Sequence, residues 1–223
     1  MRVRALHDWP RSPAEAEAIQ DRLRAAVRVT GELSGVRAVA GLDVAYANDG
    51  SDDLVAAVVV LDADTLEMVD SAVVAGTSTF PYVPGLFAFR ELPALVDALE
   101  RLTTTPDLLV VDGQGVAHPR RFGLASHLGV LTEVPSIGVA KTPLGRYEPP
   151  GPRRGDWTPL LDGAEVVGRA LRTQDGVRPV FVSVGHLVDL DTATDQVLRL
   201  APRYRLPETT RQADHLGRAA LVR

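Results

Sequence analysis

The sequence contains no cysteine, so neither a disulfide framework nor a thiolate metal site can form. Lysine is almost absent as well. Of 24 Lys and Arg residues, all but Lys141 are arginine, a bias that fits a gene rich in G and C. Lys141 therefore stands either where a compact ammonium is needed, which guanidinium cannot imitate, or as a survivor of chance. Long apolar runs are missing too: no window approaches the roughly eighteen residues of a membrane span, and "MRVRALHDWPRS" lacks the apolar core of a secretion signal. The expectation is a soluble, cytoplasmic protein with no membrane partner.

At 223 residues and 45% hydrophobic, the chain can bury one substantial core, and no low-complexity linker divides it. One domain over residues 1–223 is expected. A net charge of −5 argues mildly against a nucleic-acid coat protein, but an average conceals local patches. Between Gly115 and Gly155 the basic residues Arg120, Arg121, Lys141, Arg146, Arg153 and Arg154 face only Glu133 and Glu148. That segment reads either as a phosphate-facing surface or as a solvated loop.

Element order follows from caps and periodicity. "SPAE" at Ser12 to Glu15 is a capping box with proline at the first helical position, which predicts a helix from Pro13 to Val29. "RAVAGLDVAYA", "LVAAVVVLDAD" and "EMVDSAVVAGT" read as three strands joined by short turns, hence antiparallel hairpins. "LFAFRELPALVDALERL" is helical, "DLLVVD" a buried strand, "FGLASHLGVLTEV" helical and "SIGVA" a strand; this alternation implies a parallel crossover. "TPLGRYEPPGPRRGDW" reads as a long loop, "AEVVGRALR" and "RPVFVSVG" as strands around "TQDGV", and "DTATDQVLRL" and "LPETTRQADHLGRAALVR" as closing helices. The fold class is α/β: one mixed sheet, three antiparallel strands followed by parallel ones, with helices on both faces.

Two carboxylates break apolar strands. Asp43 interrupts the first, and Asp112 ends the fourth. Burying an ionised carboxylate is costly unless a cation or hydrogen bonds compensate it. Strands one and four lie side by side in a recurring architecture, which would bring the pair together. Oxygen-only ligands then favour Mg²⁺ or Mn²⁺ over zinc. Either aspartate alone also reads as a cap or turn residue; the pair favours ligation.

The segments "GLDVAY", "PYVPGLFAFRE", "LLVVDGQGVAHPRRFGLASHLG", "PSIGVAKTPLG", "VSVGH" and "YRLPETTRQAD" occur in the order of the endonuclease V family, which the chain resembles from Val39 to its C-terminus. These are deoxyinosine-specific repair nucleases with a ribonuclease H-like fold. The resemblance implies metal ligation by Asp43, Asp112 and Glu91, with Asp214 as a further ligand. It puts His118 and Lys141 around the scissile phosphate, with Arg120 and Arg121 meeting phosphates nearby. Tyr82 becomes a wedge inserted into the duplex, and Gly85 and Gly113 grip the flipped hypoxanthine. The implied cofactor is Mg²⁺, with Mn²⁺ substituting. The implied partner is inosine-containing DNA, single- or double-stranded, or inosine-containing RNA, acted on by a monomer. The implied cut is at the second phosphodiester 3′ to the lesion, leaving 3′-hydroxyl and 5′-phosphate ends.

Residue chemistry gives these roles independent sense, and also alternatives. Glu91 reads as a ligand or a solvated helix charge, Asp214 as a ligand or a surface charge, and the glycines as turn residues or as close approaches to a base. Tyr82, held between Pro81 and Pro84, suits a stiff aromatic wedge. His127 reads as a packing residue. A sugar-kinase or actin-like ATPase would need small or hydroxyl residues where "DVAYANDG" has Val, Ala and Tyr, and a duplicated domain for which the chain is too short. A non-catalytic nucleic-acid binder would not need Asp43, Glu91, Asp112 and Lys141 together.

Overall fold

Ser12 opens the first helix as its sequence dictates. In the computed structural model, which describes residues 1–31 and 33–221, Ser12 Oγ accepts the Glu15 amide at 3.3 Å. The Glu15 carboxylate accepts the Arg11 amide at 2.8 Å, one residue earlier than a reciprocal capping box requires. The helix α1 (Pro13–Leu23) buries Ala16, Ile19, Gln20 and Leu23 along one stripe. It stops six residues short of the predicted Val29, after a short 3₁₀ turn at Arg24–Ala26. Val27, Val29 and Thr30 are β-branched and resist helix, and the backbone there has other partners: Arg28 O accepts Leu187 N at 2.7 Å and Gly31 O accepts Asp189 N at 3.1 Å.

The strands β1 (Ala38–Tyr46), β2 (Asp53–Asp62) and β3 (Met68–Thr77) form the two predicted antiparallel hairpins. Next come α2 (Ala88–Arg101), β4 (Leu108–Val111), α3 (Leu124–Thr132) and β5 (Ser136–Ala140). The chain continues through β6 (Trp157–Asp162), β7 (Glu165–Leu171), β8 (Val180–His186), α4 (Leu190–Leu200) and α5 (Glu208–Leu221). The predicted last helix extends to Arg223, but Val222 and Arg223 lie outside the described residues. The described strands make one eight-stranded sheet in the order β3-β2-β1-β4-β5-β8-β7-β6. Parallel pairing is confined to β1–β4–β5; β8, β7 and β6 return antiparallel. β6 starts on Trp157, the last residue of the expected long loop, and runs through residues 158–162, for which no element was expected, because Pro159 in "WTPLLD" disguises an edge strand that needs fewer ladder donors.

Side-chain alternation sorts the core onto two faces. Ala40, Leu42, Leu109 and Val111 pack with α1, α2 and α3, while Val39, Leu108 and Val110 share the other face with α4. α5 crosses β1 on that second face, and the crossing depends on Gly41. A Cβ there would lie 2.2 Å from the Thr209 backbone. The N-terminal segment straps the first face: the Met1 amine donates to Leu102 O at 3.1 Å, and Arg4 N donates to Leu131 O at 2.9 Å. His127, buried among Phe89 and Phe122, meets the His7 ring nitrogen at 2.7 Å, so it is a core residue. Among the described residues, no helix is long and apolar enough to cross a membrane.

The α5 crossing can be tested directly. Gly41→Val should lower the unfolding free energy by about 2 kcal/mol or more, since the obstacle is backbone rather than a flexible side chain. Urea melts of the two proteins measure it; coincident midpoints would show that α5 does not pack closely on β1.

Candidate active site

The register of β1 on β4 creates the site. Leu42 lies opposite Val111, and the Asp112 amide donates to Leu42 O at 3.2 Å, so Asp43 and Asp112 follow side by side on adjacent parallel strands. Both continue the alternation of Val39, Gly41 and Leu108, Val110, toward the α5 face. From α5 comes Asp214, which donates nothing and accepts Arg218 Nε at 2.8 Å. From α2, on the opposite face, comes Glu91, 7% exposed. These four acids, with Lys141, Tyr46, Phe87 and Leu124, line one cleft of about 280 Å³. The structure thus brings together Asp43, Glu91, Asp112, Lys141 and Asp214.

The electrostatics follow from crowding. Burial, then the charge and hydrogen bond of Asp112, push the Asp43 carboxyl up to about 8. Burial, then Asp43 and Asp112, push Glu91 well above the usual carboxylate range. Lys141 donates to Asp112 Oδ2. Burial pulls its ammonium down, but the hydrogen bond and charge of Asp112 outweigh this and the net displacement is upward. The Lys141 ammonium and the Arg218 guanidinium, which also lines the cleft, cannot together neutralise four acids. The donors are all oxygen, with no histidine or sulfur lining the cleft, which is the set a hard divalent cation takes. As the side chains stand, no three of the described His, Asp or Glu groups converge on one metal position.

A second group lies at the turn before α2. Leu86 N donates to Val83 O at 2.9 Å, closing a tight turn with Pro84 and Gly85 at its centre. Gly85 has φ +82°, the conformation for which a type II turn needs glycine. Tyr82 at its entrance is 69% exposed, with its ring edge-on to Phe87 at 5.8 Å. The amides of Gly85 and Gly113 donate to no protein acceptor among the described residues. Gly115, by contrast, is a packing glycine, its amide bonded to Ser183 Oγ at 2.9 Å.

His118, Arg120 and Arg121 are engaged elsewhere. His118 Nδ1 accepts the Arg120 amide at 3.2 Å, so Nε2 carries the proton and donates to Gly85 O at 2.9 Å. Arg120 pairs with Glu17 at 2.9 Å and Asp21 at 3.1 Å on α1. Arg121 pairs with Asp162 at 2.8 Å and Glu165 at 2.6 Å across the β6–β7 hairpin. None of the three lines the acidic cleft. Sequence reasoning passed over Gln20, which also donates to Gly85 O, at 3.0 Å. Its signal was present: a glutamine on the apolar stripe of Ala16, Ile19 and Leu23. It also passed over Arg205, whose guanidinium donates to Lys141 O at 3.1 Å and Pro179 O at 2.8 Å, and for this no local pattern gave notice.

A mixed sheet whose central parallel strands end in clustered acids beside one lysine has the ribonuclease H-like fold. The chain belongs to the endonuclease V family, whose profile matches residues 21–215. It is 59% identical over 222 residues to endonuclease V of Streptomyces avermitilis, covering 98% of this chain and 96% of the relative. The crystal structure of endonuclease V from Streptomyces avermitilis superposes with a TM-score of 0.92, covering 100% of this chain and 98% of that one at 57% identity. Endonuclease V of Ciona intestinalis, solved with a 24mer DNA containing an inosine followed by a ribo-adenosine, superposes at 0.83 with 29% identity, over 94% and 97% of the chains. The Argonaute of A. aeolicus, at 16% identity, matches in fold alone, with a TM-score of 0.52 over 85% of this chain and 30% of that one.

The crowded acids carry a consequence for stability. Asp43 has its folded value raised, so the folded state holds a proton that the unfolded state loses first. Its contribution to stability is therefore full below the ordinary carboxylate range and is lost as pH rises toward about 8. With divalent cations chelated, wild type should melt progressively lower across that interval, and Asp43→Asn should melt higher than wild type at pH 8. Thermal melts in EDTA measure both; a lower melting point for Asp43→Asn at pH 8 would contradict the repulsion.

Proposed function

We propose that this chain is a metal-dependent endonuclease directed to deoxyinosine in DNA, hydrolysing the second phosphodiester 3′ to the lesion and leaving 3′-hydroxyl and 5′-phosphate ends. The observation that carries the reading is the meeting of Asp43, Glu91, Asp112 and Lys141 in one cleft. An ATPase on a related sheet needs small or hydroxyl residues in its first hairpin, where this chain has Val44, Ala45 and Tyr46, and a passive binder has no use for mutually repelling buried acids. Asp43, Asp112 and Glu91, with Asp214, would hold Mg²⁺, for which Mn²⁺ substitutes. When bound, such a cation supplies activation of water, charge relief at the pentavalent phosphate and stabilisation of the leaving 3′ oxygen.

The protein's own groups do the rest. Lys141 spends one N–H on Asp112 and keeps two for the phosphate and the attacking water. Tyr82, exposed on a stiff turn, fills the stack vacated by the base. The amides of Gly85 and Gly113, which have no acceptor among the described residues, approach the O6 edge of hypoxanthine in a pocket that must disfavour the exocyclic amine of guanine. Support for an inosine-bearing strand comes also from the nucleic acid bound by the Ciona protein. Its ribo-adenosine beside the inosine favours a second reading, in which RNA is cut as well.

End-labelled strands carrying one deoxyinosine, one inosine or neither, incubated with Mg²⁺ or with EDTA, test the whole proposal. A nick confined to inosine-bearing strands and to Mg²⁺ is expected. Equal cleavage in EDTA would overturn the metal dependence, and a dominant RNA product would favour the second reading. Asp43→Ala and Asp112→Ala should abolish cleavage with the fold intact, and Mg²⁺ should raise the melting point of wild type but of neither variant. A near-normal single-turnover rate in either variant would remove it from the ligand set.

Lys141→Arg should slow single-turnover cleavage by on the order of a hundredfold although the charge is kept, because a planar fork sits differently against the phosphate than a compact ammonium. Gel-shift affinity for uncleaved inosine DNA should change far less. Wild-type cleavage by this variant would make Lys141 a generic cation.

A further inference from the structure

We propose that Gln20, on the N-terminal helix, is a positioning residue for strand opening: with His118 it forms a two-donor clamp on the Gly85 carbonyl that holds the Tyr82 turn in its working shape. The inference rests on reading Tyr82 as the wedge and Gly85 as a base contact. Gly85 O accepts Gln20 Nε2 at 3.0 Å and His118 Nε2 at 2.9 Å, so both of its lone pairs are used. Gln20 Nε2 also lies 3.4 Å from Phe122 O. Two carbonyls around one nitrogen fix the amide with its NH₂ toward the turn. Gln20 is 1% exposed, and its Oε1 is buried without a partner.

A buried glutamine with an unmet oxygen costs stability, and an apolar side chain of similar length would pack at that position without the penalty. What the glutamine contributes is orientation. The Gly85 carbonyl belongs to the peptide whose N–H closes the turn on Val83, so gripping that carbonyl fixes the plane of the third peptide of the turn. With that plane fixed, the free Gly85 amide and the Tyr82 ring keep a set direction. His118 then acts through Gly85 as well: both of its ring nitrogens are occupied, and burial, against the opposing pull of the Gly85 bond, lowers its affinity for a second proton. Preorganisation of this kind matters most where the wedge must part a base pair, and least on a single strand.

The test uses Gln20→Met, of similar length and without a donor, on deoxyinosine in a duplex and in a single strand, with Mg²⁺ and at one salt concentration. Duplex cleavage should fall about tenfold and single-strand cleavage by less than about threefold, while a merely structural loss lowers both alike. In a Tyr82→Ala background the same substitution should cost no more than the roughly threefold seen on a single strand, since the wedge is gone and only the Gly85 contact is left to position. An unchanged duplex-to-single-strand ratio, or a full tenfold loss in the Tyr82→Ala background, overturns the clamp. If Gln20→Met does not fold, Gln20→Leu removes the donor with a shorter apolar side chain, and the same ratio decides. Wild type failing on every inosine strand would instead sink the functional reading on which the clamp rests.

Discussion

Two carboxylates on adjacent parallel strands are the constraint around which this molecule is arranged. At the strand spacing of about 5 Å, two full charges repel by about 3 kcal/mol even at an effective dielectric constant of 20. A surface ion pair returns about 1 kcal/mol at most, so pairing at the rim cannot offset that repulsion. The structure responds in two ways: Lys141 is drawn onto Asp112, and Asp43 holds its proton up to about 8. Glu91 and Asp214 then converge from opposite faces of the sheet and add negative charge rather than relieve it. Such an arrangement departs from what a core would choose, and departures of this kind mark sites under functional demand.

Much of this was legible in the residues themselves. Strand boundaries around Asp43 and Asp112 followed from β-branched runs, and the capping box placed the start of α1. What escaped was governed by tertiary contact. α1 ended early because residues 28 and 31 bond to the segment after β8. Strand β6 was hidden by Pro159, and the antiparallel return of β8 to β5 cannot be read from periodicity, which is blind to strand direction. For the cleft, strand ends predicted the aspartate pair, and the family resemblance nominated Glu91, Asp214 and Lys141 beside it. The basic run from Gly115 to Gly155 left a phosphate-facing surface and a solvated loop both open, because composition does not say where a guanidinium points.

Those arginines show why a chain nearly free of lysine can still be selective about charge. Arg120 and Arg121 are spent on ion pairs with α1 and the β6–β7 hairpin. Arg154 donates to the carbonyls of Thr173, Leu198 and Ala201, and Arg172 to those of Pro150, Gly151 and Val177. Arg205 does the same for Lys141, Arg178 and Pro179. Five donors in a rigid fork make arginine a cross-linker of irregular backbone, able to satisfy carbonyls that no strand or helix reaches. An ammonium cannot span such distances. In this protein arginine therefore holds loops together, and the one lysine stands beside the acids, bonded to Asp112.

The same cross-linking unites the two halves of the candidate site. Gly85 and Glu91 are six residues apart at the start of α2, and Asp112 and His118 are six apart on the loop after β4. Glu91 and Asp112 meet in the cleft, while Gly85 and His118 are joined at the turn by a 2.9 Å hydrogen bond. Two short segments are thus tied at both ends into a closed frame, and Gln20 braces one of those ties from α1. The turn beside the exposed aromatic and the acids of the cleft share one bonded frame. On the proposed reading, the seating of a base against Gly85 and the positioning of a phosphate over the carboxylates would be coupled, because both sit on this frame.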